Sequence, residues 1–375
     1  MRGNIQQRSK GSWRLRYDGP PDANGKRKQI SETVRGNKKD AQRVLRERLT
    51  AIENGSFVVK SRETVAEFMQ RWLETYVATN TSLRTQQGYL HYVRRHINPT
   101  LGHVRLQSLT PSQIQGMYGD MLGKGLSART VLHCHRVLKG ALKHAILWGD
   151  LTRSPANGAT PPRPEKTELQ SWDAETFHKF LTKAVDSQFK DFYHLAVLTG
   201  MRRGELCGLK WDDVNLDGAQ LRVLRTLQRI DGKGLVEGQP KTEKSRRTIA
   251  LGQSAVEVLR RVRAVQAENR LKLGDIWQGK GYVFTNEDGT AISGERVSKD
   301  FAQIVRSARL PHLTLHGLRH TAASLMIAGG VHARTIADIL GHSTISTTMD
   351  IYGHLLSGVQ KDALSVLDAS LAERR

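Results

Sequence analysis

The stretch LHGLRHT, residues 315–321, sets His316, Arg319 and His320 within one helical turn, with no acid among them. Residues three and four apart share a helix face, so this turn could hold a metal, bind a phosphate or form a plain polar patch. Three further polar signals lie in the same half of the chain. Arg202, in TGMRRGEL, has Glu205 one turn away. Lys241, in QPKTEKSRRTIAL, precedes a strand-like run in which Lys244, Arg246 and Arg247 compete for its role. His342, in LGHSTISTTMDIYGHL, is followed ten residues later by Tyr352. His316 and His320 have the spacing of a zinc-hydrolase helix, but position 317 is Gly where that motif needs a glutamate base. Taken singly, an Arg–Glu pair is usually a surface ion pair. A lone loop lysine is usually solvated, and a lone tyrosine usually belongs to a core. Only the combination points to chemistry.

Lys and Arg number 58 against 36 Asp and Glu, a formal net charge of +22. The excess is densest at the front, where residues 1–60 carry 15 basic and 6 acidic side chains. Such a surplus implies a polyanionic partner, above all nucleic acid. The 375 residues, 38% of them hydrophobic, suffice for two or three domains with real cores. No apolar run approaches the ~20 residues of a membrane span, and the N-terminus lacks a signal peptide's apolar core. Two distant cysteines, Cys134 and Cys207, exclude a disulfide scaffold or a cysteine-rich zinc site and fit a reducing cytoplasm. No phosphate-cradling Walker loop is present, so nothing suggests use of ATP.

Three segments position these residues. In SWRLRY, residues 12–17, Trp13, Leu15 and Tyr17 alternate with Arg14 and Arg16, as in a half-buried strand with a cationic outer face. Asn24-Gly25 signals a hairpin, KRKQISETV reads as the returning strand, and a helix follows from Asn37 to about Gly55. Such a β-ribbon could enter a major groove. Residues 62–150 read as all helix, with Val65, Phe68, Trp72 and Tyr76 on one stripe and helix starts at Thr110 and Ser127. His91, His96, His133, His135 and His144 fall here without ligand spacing and read as surface or groove contacts. The Pro-rich stretch 153–166 reads as a linker. Beyond it, a buried helix breaks at Thr199-Gly200, AQLRVLRTLQRI and KSRRTIAL read as strands with a polar connection between them, and the chain after Val256 is mainly helical. SGVQKDALSVLDASLAERR closes the chain as an amphipathic helix.

The T-G-x-R-x-x-E, H-x-L-R-H, L-G-H and x-x-Y-x-H elements stand here in the order and spacing of the tyrosine recombinases, and from about residue 62 the chain resembles that phage integrase family. The front of the chain is similar, more softly, to the arm-binding domains of some integrases. The resemblance implies a mostly α fold with small β-sheets, in three domains. These are an arm-type DNA-binding domain over 1–60, a helical SAM-like core-binding domain over 61–155 and a mixed α/β catalytic domain over 167–375. It implies a site-specific recombinase that cuts and rejoins DNA through a 3′-phosphotyrosine, integrating or excising a phage or mobile element. Tyr352 would be the nucleophile. Arg202 and Arg319 would clamp the nonbridging oxygens. His316 and His342 would donate to those oxygens or move the tyrosine proton. Lys241 would protonate the departing 5′ oxygen. No metal and no cofactor is expected, because fixed cationic groups supply the charge stabilisation. The absence of acids around His316 and Arg319 then makes sense, with Glu205 and His320 read as structural. Double-stranded attachment-site DNA is the expected partner, bound by a homotetramer in the bacterial cytoplasm, with a directionality factor or host architectural protein as further candidates and no membrane. A type IB topoisomerase, which shares the chemistry, is the alternative. A DNA-binding protein without catalysis is disfavoured by the intact set of six.

Overall fold

The computed structural model describes residues 3–21, 25–55, 57–165, 170–239 and 245–341. The chain forms two compact units, Met1–Lys166 and Thr167–Arg375.

The first unit opens with an antiparallel sheet in the order β1-β2-β3, formed by Gly3–Ser9, Ser12–Pro21 and Arg27–Arg35. The alternation at 12–17 is realised, with Leu15 and Tyr17 buried under helix α1, Lys38–Glu53. The sequence reading missed β1, whose polar run GNIQQRS has only Ile5 to mark an inner face. On the other face β1 and β3 flank β2, pairing Gln6 and Thr33 with Arg14, and Asn4 and Ser31 with Arg16. Asn37 caps α1 reciprocally with Asp40, satisfying two orphan N–H groups. The turn residue Asn24 lies outside the described residues.

The rest of this unit is helical. Helices α2 (Val65–Trp72) and α3 (Ala78–Asn80) are continuous through a π turn, as are α4 (Leu83–Tyr92) and α5 (Asn98–Leu101). They pack with α6 (Pro111–Gly123) and α7 (Ala128–Leu147) around Phe68, Trp72, Ile114 and Leu138. Thr110 and Ser127 cap their helices as expected. Two of the histidines read as surface contacts are structural instead. His135 is buried against the Tyr118 hydroxyl at 2.6 Å, and the Trp72 indole donates to His144 at 3.0 Å. The stretch read as linker is also packed in its first part, because the apolar Ala156 and Ala159 bury in the same core.

The second unit holds α8 (Ala174–Lys183), α9 (Lys190–Thr199) and α10 (Arg203–Cys207), then strands, then α11 (Gln253–Leu273), α12 (Gly294–Ser307), α13 (Gly317–Ala328) and α14 (Ala333–Leu340). Strands β4 (Val214–Asn215), β5 (Gln220–Val223) and β8 (Arg247–Ala250) make one antiparallel sheet. Between β5 and β8, β6 (Thr226–Ile230) pairs with β7 (Gly234–Gly238) as a separate hairpin. Here the single strand read in AQLRVLRTLQRI is two, and the polar connection is itself half strand. The reason is the weak pattern: GLVEG is short and flanked by glycines, with neither of its apolar residues fully buried. A core of Phe180, Phe192, Tyr193, Phe301 and Leu318 holds the unit together. The whole is mostly α with small sheets, as the sequence implied.

Candidate active site

Three of the six sequence-derived residues are described: Arg202, His316 and Arg319. Lys241, His342 and Tyr352 lie outside the described residues. Helix α9 ends where Gly200 turns left-handed at φ 61°, so that Arg202 becomes the N-cap of α10. A side chain at Gly200 would meet Leu340 at 2.5 Å, so the TG element abuts the LG element of α14. Gly341 ends α14 in the same left-handed way at φ 65°. Both positions favour glycine for backbone sign, and Gly200 for space as well.

Glu205 sits at the centre, 2% exposed. Its carboxylate accepts from the Arg202 backbone N–H at 2.9 Å and the Arg202 Nη1 at 2.8 Å. It therefore both caps the helix turn and orients the arginine, the structural role expected of it. It also accepts from Arg247 Nη2 at 3.0 Å. Burial by itself would raise this carboxyl; the charge and hydrogen bond of Arg247, then Arg202, overcome that and hold it below the ordinary carboxylate range.

Arg247, one of the three residues that compete with Lys241 in the sequence, has a side chain 7% exposed and engaged with protein oxygens, a role the sequence reading did not reveal. Besides Glu205, it donates to the Ile339 carbonyl at 2.6 Å and the Ser245 carbonyl at 3.2 Å. The signal was present: β8 alternates, and Arg247 shares its face with buried Ile249.

Arg319 is 3% exposed and donates to Gly200 O at 2.8 Å and Leu340 O at 2.6 Å. Arg202 keeps 37% of its side chain exposed and reaches Gly341 O at 3.2 Å. His316 stands at the N-cap position of α13 without a side-chain capping bond, and it is exposed. Desolvation of its ring, followed by the charges of Arg319, Arg202 and Arg203, pushes its pKa below the ordinary value. The His320 ring lies 5.1 Å from that of His316 and nearly perpendicular to it. Desolvation, then His316 and Arg319, push His320 down to about 4. Both imidazoles therefore favour the neutral form near pH 7. Among the described residues, no three His, Cys, Asp or Glu side chains gather as a metal site would require.

Two guanidiniums on one carboxylate, with Arg319 bonded to the neighbouring Gly200 and Leu340 carbonyls, leave a net positive centre, which suits an anionic substrate. The comparisons with known proteins agree. The model of the phage integrase family matches residues 169–358, and that of the phage integrase N-terminal SAM-like domain matches residues 64–122. The chain belongs to the phage integrase family. A tyrosine recombinase XerC-like protein of Caldanaerobacter subterraneus subsp. tengcongensis is 32% identical over 88% of this chain and 89% of its own. Among solved structures, the Tn1549 transposon integrase in complex with transposon right-end DNA has the same fold. It gives a TM-score of 0.67 at 23% identity, over 77% of this chain and 94% of that one. The lambda integrase tetramer bound to a Holliday junction gives 0.58 at 20%, over 91% and 96%. Membership makes the chain an enzyme, a tyrosine site-specific recombinase of the integrase type. The topoisomerase alternative finds no support.

Proposed function

We propose that this integrase cuts attachment-site DNA with Tyr352. The tyrosine oxygen forms a bond to the scissile phosphorus as the bond to the 5′ oxygen breaks, leaving a 3′-phosphotyrosine and a 5′-hydroxyl. Arg202 and Arg319 bind the nonbridging oxygens, where the transition state spreads its charge. His316 and His342 donate to those oxygens or carry the tyrosine proton, and Lys241 protonates the departing oxygen. The covalent link keeps the diester's bond energy, so a 5′-hydroxyl from another strand reverses the step without ATP. The observation that carries this reading is the convergence of Arg202 and Arg319, from distant elements, on the carbonyls of Gly341 and Leu340, one and two residues before His342.

Four protomers on two duplexes exchange strands through a Holliday junction, a reading supported by the lambda integrase tetramer. Residues 1–60 act as the arm-binding domain, 61–155 as the core-binding domain and 167–375 as the catalytic domain. The exposed Arg16 on a polar sheet face and the net charge of +22 support DNA as the partner. The enzyme works in a bacterial host's cytoplasm, on the nucleoid, with a directionality factor for excision. The test is Tyr352→Phe, which should bind site DNA normally and form no covalent adduct on denaturing gels. A persistent adduct would overturn the assignment.

A further inference from the structure

The last carbonyls of a helix have no partner within it and form the negative end of its dipole. At the end of α14, three consecutive carbonyls are each taken by a different arginine. Ile339 O accepts from Arg247 on β8, Leu340 O from Arg319 on α13, and Gly341 O from Arg202 ahead of α10. Two of these arginines, Arg202 and Arg247, are further joined through Glu205. The three differ in freedom. Arg202 is 37% exposed and holds its carbonyl at 3.2 Å. Arg247 is 7% exposed and directs Nε, Nη1 and Nη2 to protein oxygens. It also lies against Gly341, where a Cβ would stand 3.0 Å from Nη1. With Nε, Nη1 and Nη2 all directed to protein oxygens, the Arg247 guanidinium fixes what it touches.

We propose that Arg247 is a positioning residue for strand cleavage. Through Glu205 it aligns the Arg202 guanidinium for the phosphate. Through Ile339 O it holds the helix end from which the chain runs on to His342. The proposal rests on Arg202 being a phosphate clamp, as proposed above. Arginine is required because one planar fork serves the carboxylate and the carbonyl together; lysine supplies the charge alone.

The experiment measures single-turnover formation of the covalent complex by the full chain. Two site DNAs are compared, one with the ordinary scissile phosphate and one with an uncharged methylphosphonate in its place. The variants are Arg202→Ala, Arg247→Lys and the double variant Arg247→Met/Glu205→Gln, each checked for folding by circular dichroism. Arg247→Lys keeps a cation opposite Glu205, and the double variant removes both buried charges together, so a fold is retained for the measurement. Arg247→Lys should bind site DNA like the wild type but cleave the ordinary phosphate about 100-fold more slowly, the size of effect expected when a reacting group is misplaced by ~1 Å. On the methylphosphonate, which carries no charge to clamp, its defect should shrink by about tenfold or more, in parallel with that of Arg202→Ala. Cleavage by Arg247→Lys within about threefold of wild type on the ordinary phosphate overturns the proposal. So does a defect equal on both DNAs while that of Arg202→Ala shrinks, because Arg247 would then only hold the fold. If the Arg202→Ala defect is also unchanged, the phosphate-clamp reading itself has failed, and the proposal with it.

Discussion

Replacing Glu205 with glutamine should be among the most damaging conservative changes in the catalytic unit. Glutamine keeps the shape, but accepts through one oxygen and turns an NH2 donor toward a guanidinium. Glu205 accepts three hydrogen bonds, from Arg202 N, Arg202 Nη1 and Arg247 Nη2, at 2.9, 2.8 and 3.0 Å. Its side chain is 1% exposed and that of Arg247 is 7%, so the interaction is buried and the surface-pair discount does not apply. Breaking one side of such a pair costs about 3–5 kcal/mol, because the remaining charge is stranded. A unit of about 200 residues shifts its midpoint by about 2–4 °C per kcal/mol, so the melt should fall by about 6–20 °C. The sign with pH is fixed by the lowered pKa. The group's stabilisation is complete above its ordinary value of 4.5 and is lost as pH falls through the lower folded value. The gap between variant and wild type should therefore be full at neutral pH and close only in acid below 4.5. Differential scanning calorimetry of the full chain at a series of pH values measures both. A midpoint within about 2 °C of wild type at neutral pH, or a gap that persists unchanged into strong acid, would refute the argument. Adding Arg247→Met should return part of the loss, since removing both charges is far less costly than stranding one.

Lys241→Ala should cleave slowly on normal DNA and recover when the leaving oxygen is replaced by sulfur, which departs without a proton. If Lys244→Ala shows that rescue and Lys241→Ala does not, the assignment within the segment is wrong. His320, at about 4 against an ordinary 6.5, should contribute stability that is complete above 6.5 and is lost as pH falls toward 4. His320→Gln should flatten that limb of the midpoint–pH curve, and an unchanged slope counts against it. Deleting residues 1–60 should leave Tyr352-dependent cleavage of a core site intact. It should also lower the salt dependence of binding to long DNA by about 0.9 in log–log slope per lost phosphate contact. An identical slope for truncated and full-length chains would mean that the basic sheet face only meets solvent.

Much of this molecule is legible along the chain because local rules govern it. Asn37, Thr110 and Ser127 announce their helices through the hydrogen bonds their own side chains make, and Leu15 and Tyr17 announce a buried face by period. The family is legible because the residue types and order of the T-G-x-R-x-x-E, H-x-L-R-H, L-G-H and x-x-Y-x-H elements mark the tyrosine recombinases. Strands β1 and β7 escaped because polar or short strands carry little periodic signal and are decided by the neighbour they pair with. The same holds inside the site. Arg202 and Glu205, three residues apart, could be paired on paper. That Arg247 completes this pair, and that Arg319 donates to Gly200 and Leu340, depends on contacts between elements far apart in sequence. A guanidinium can stay buried only where enough carbonyls and carboxylates converge on it, and that convergence exists only once β8, α10, α13 and α14 have packed together.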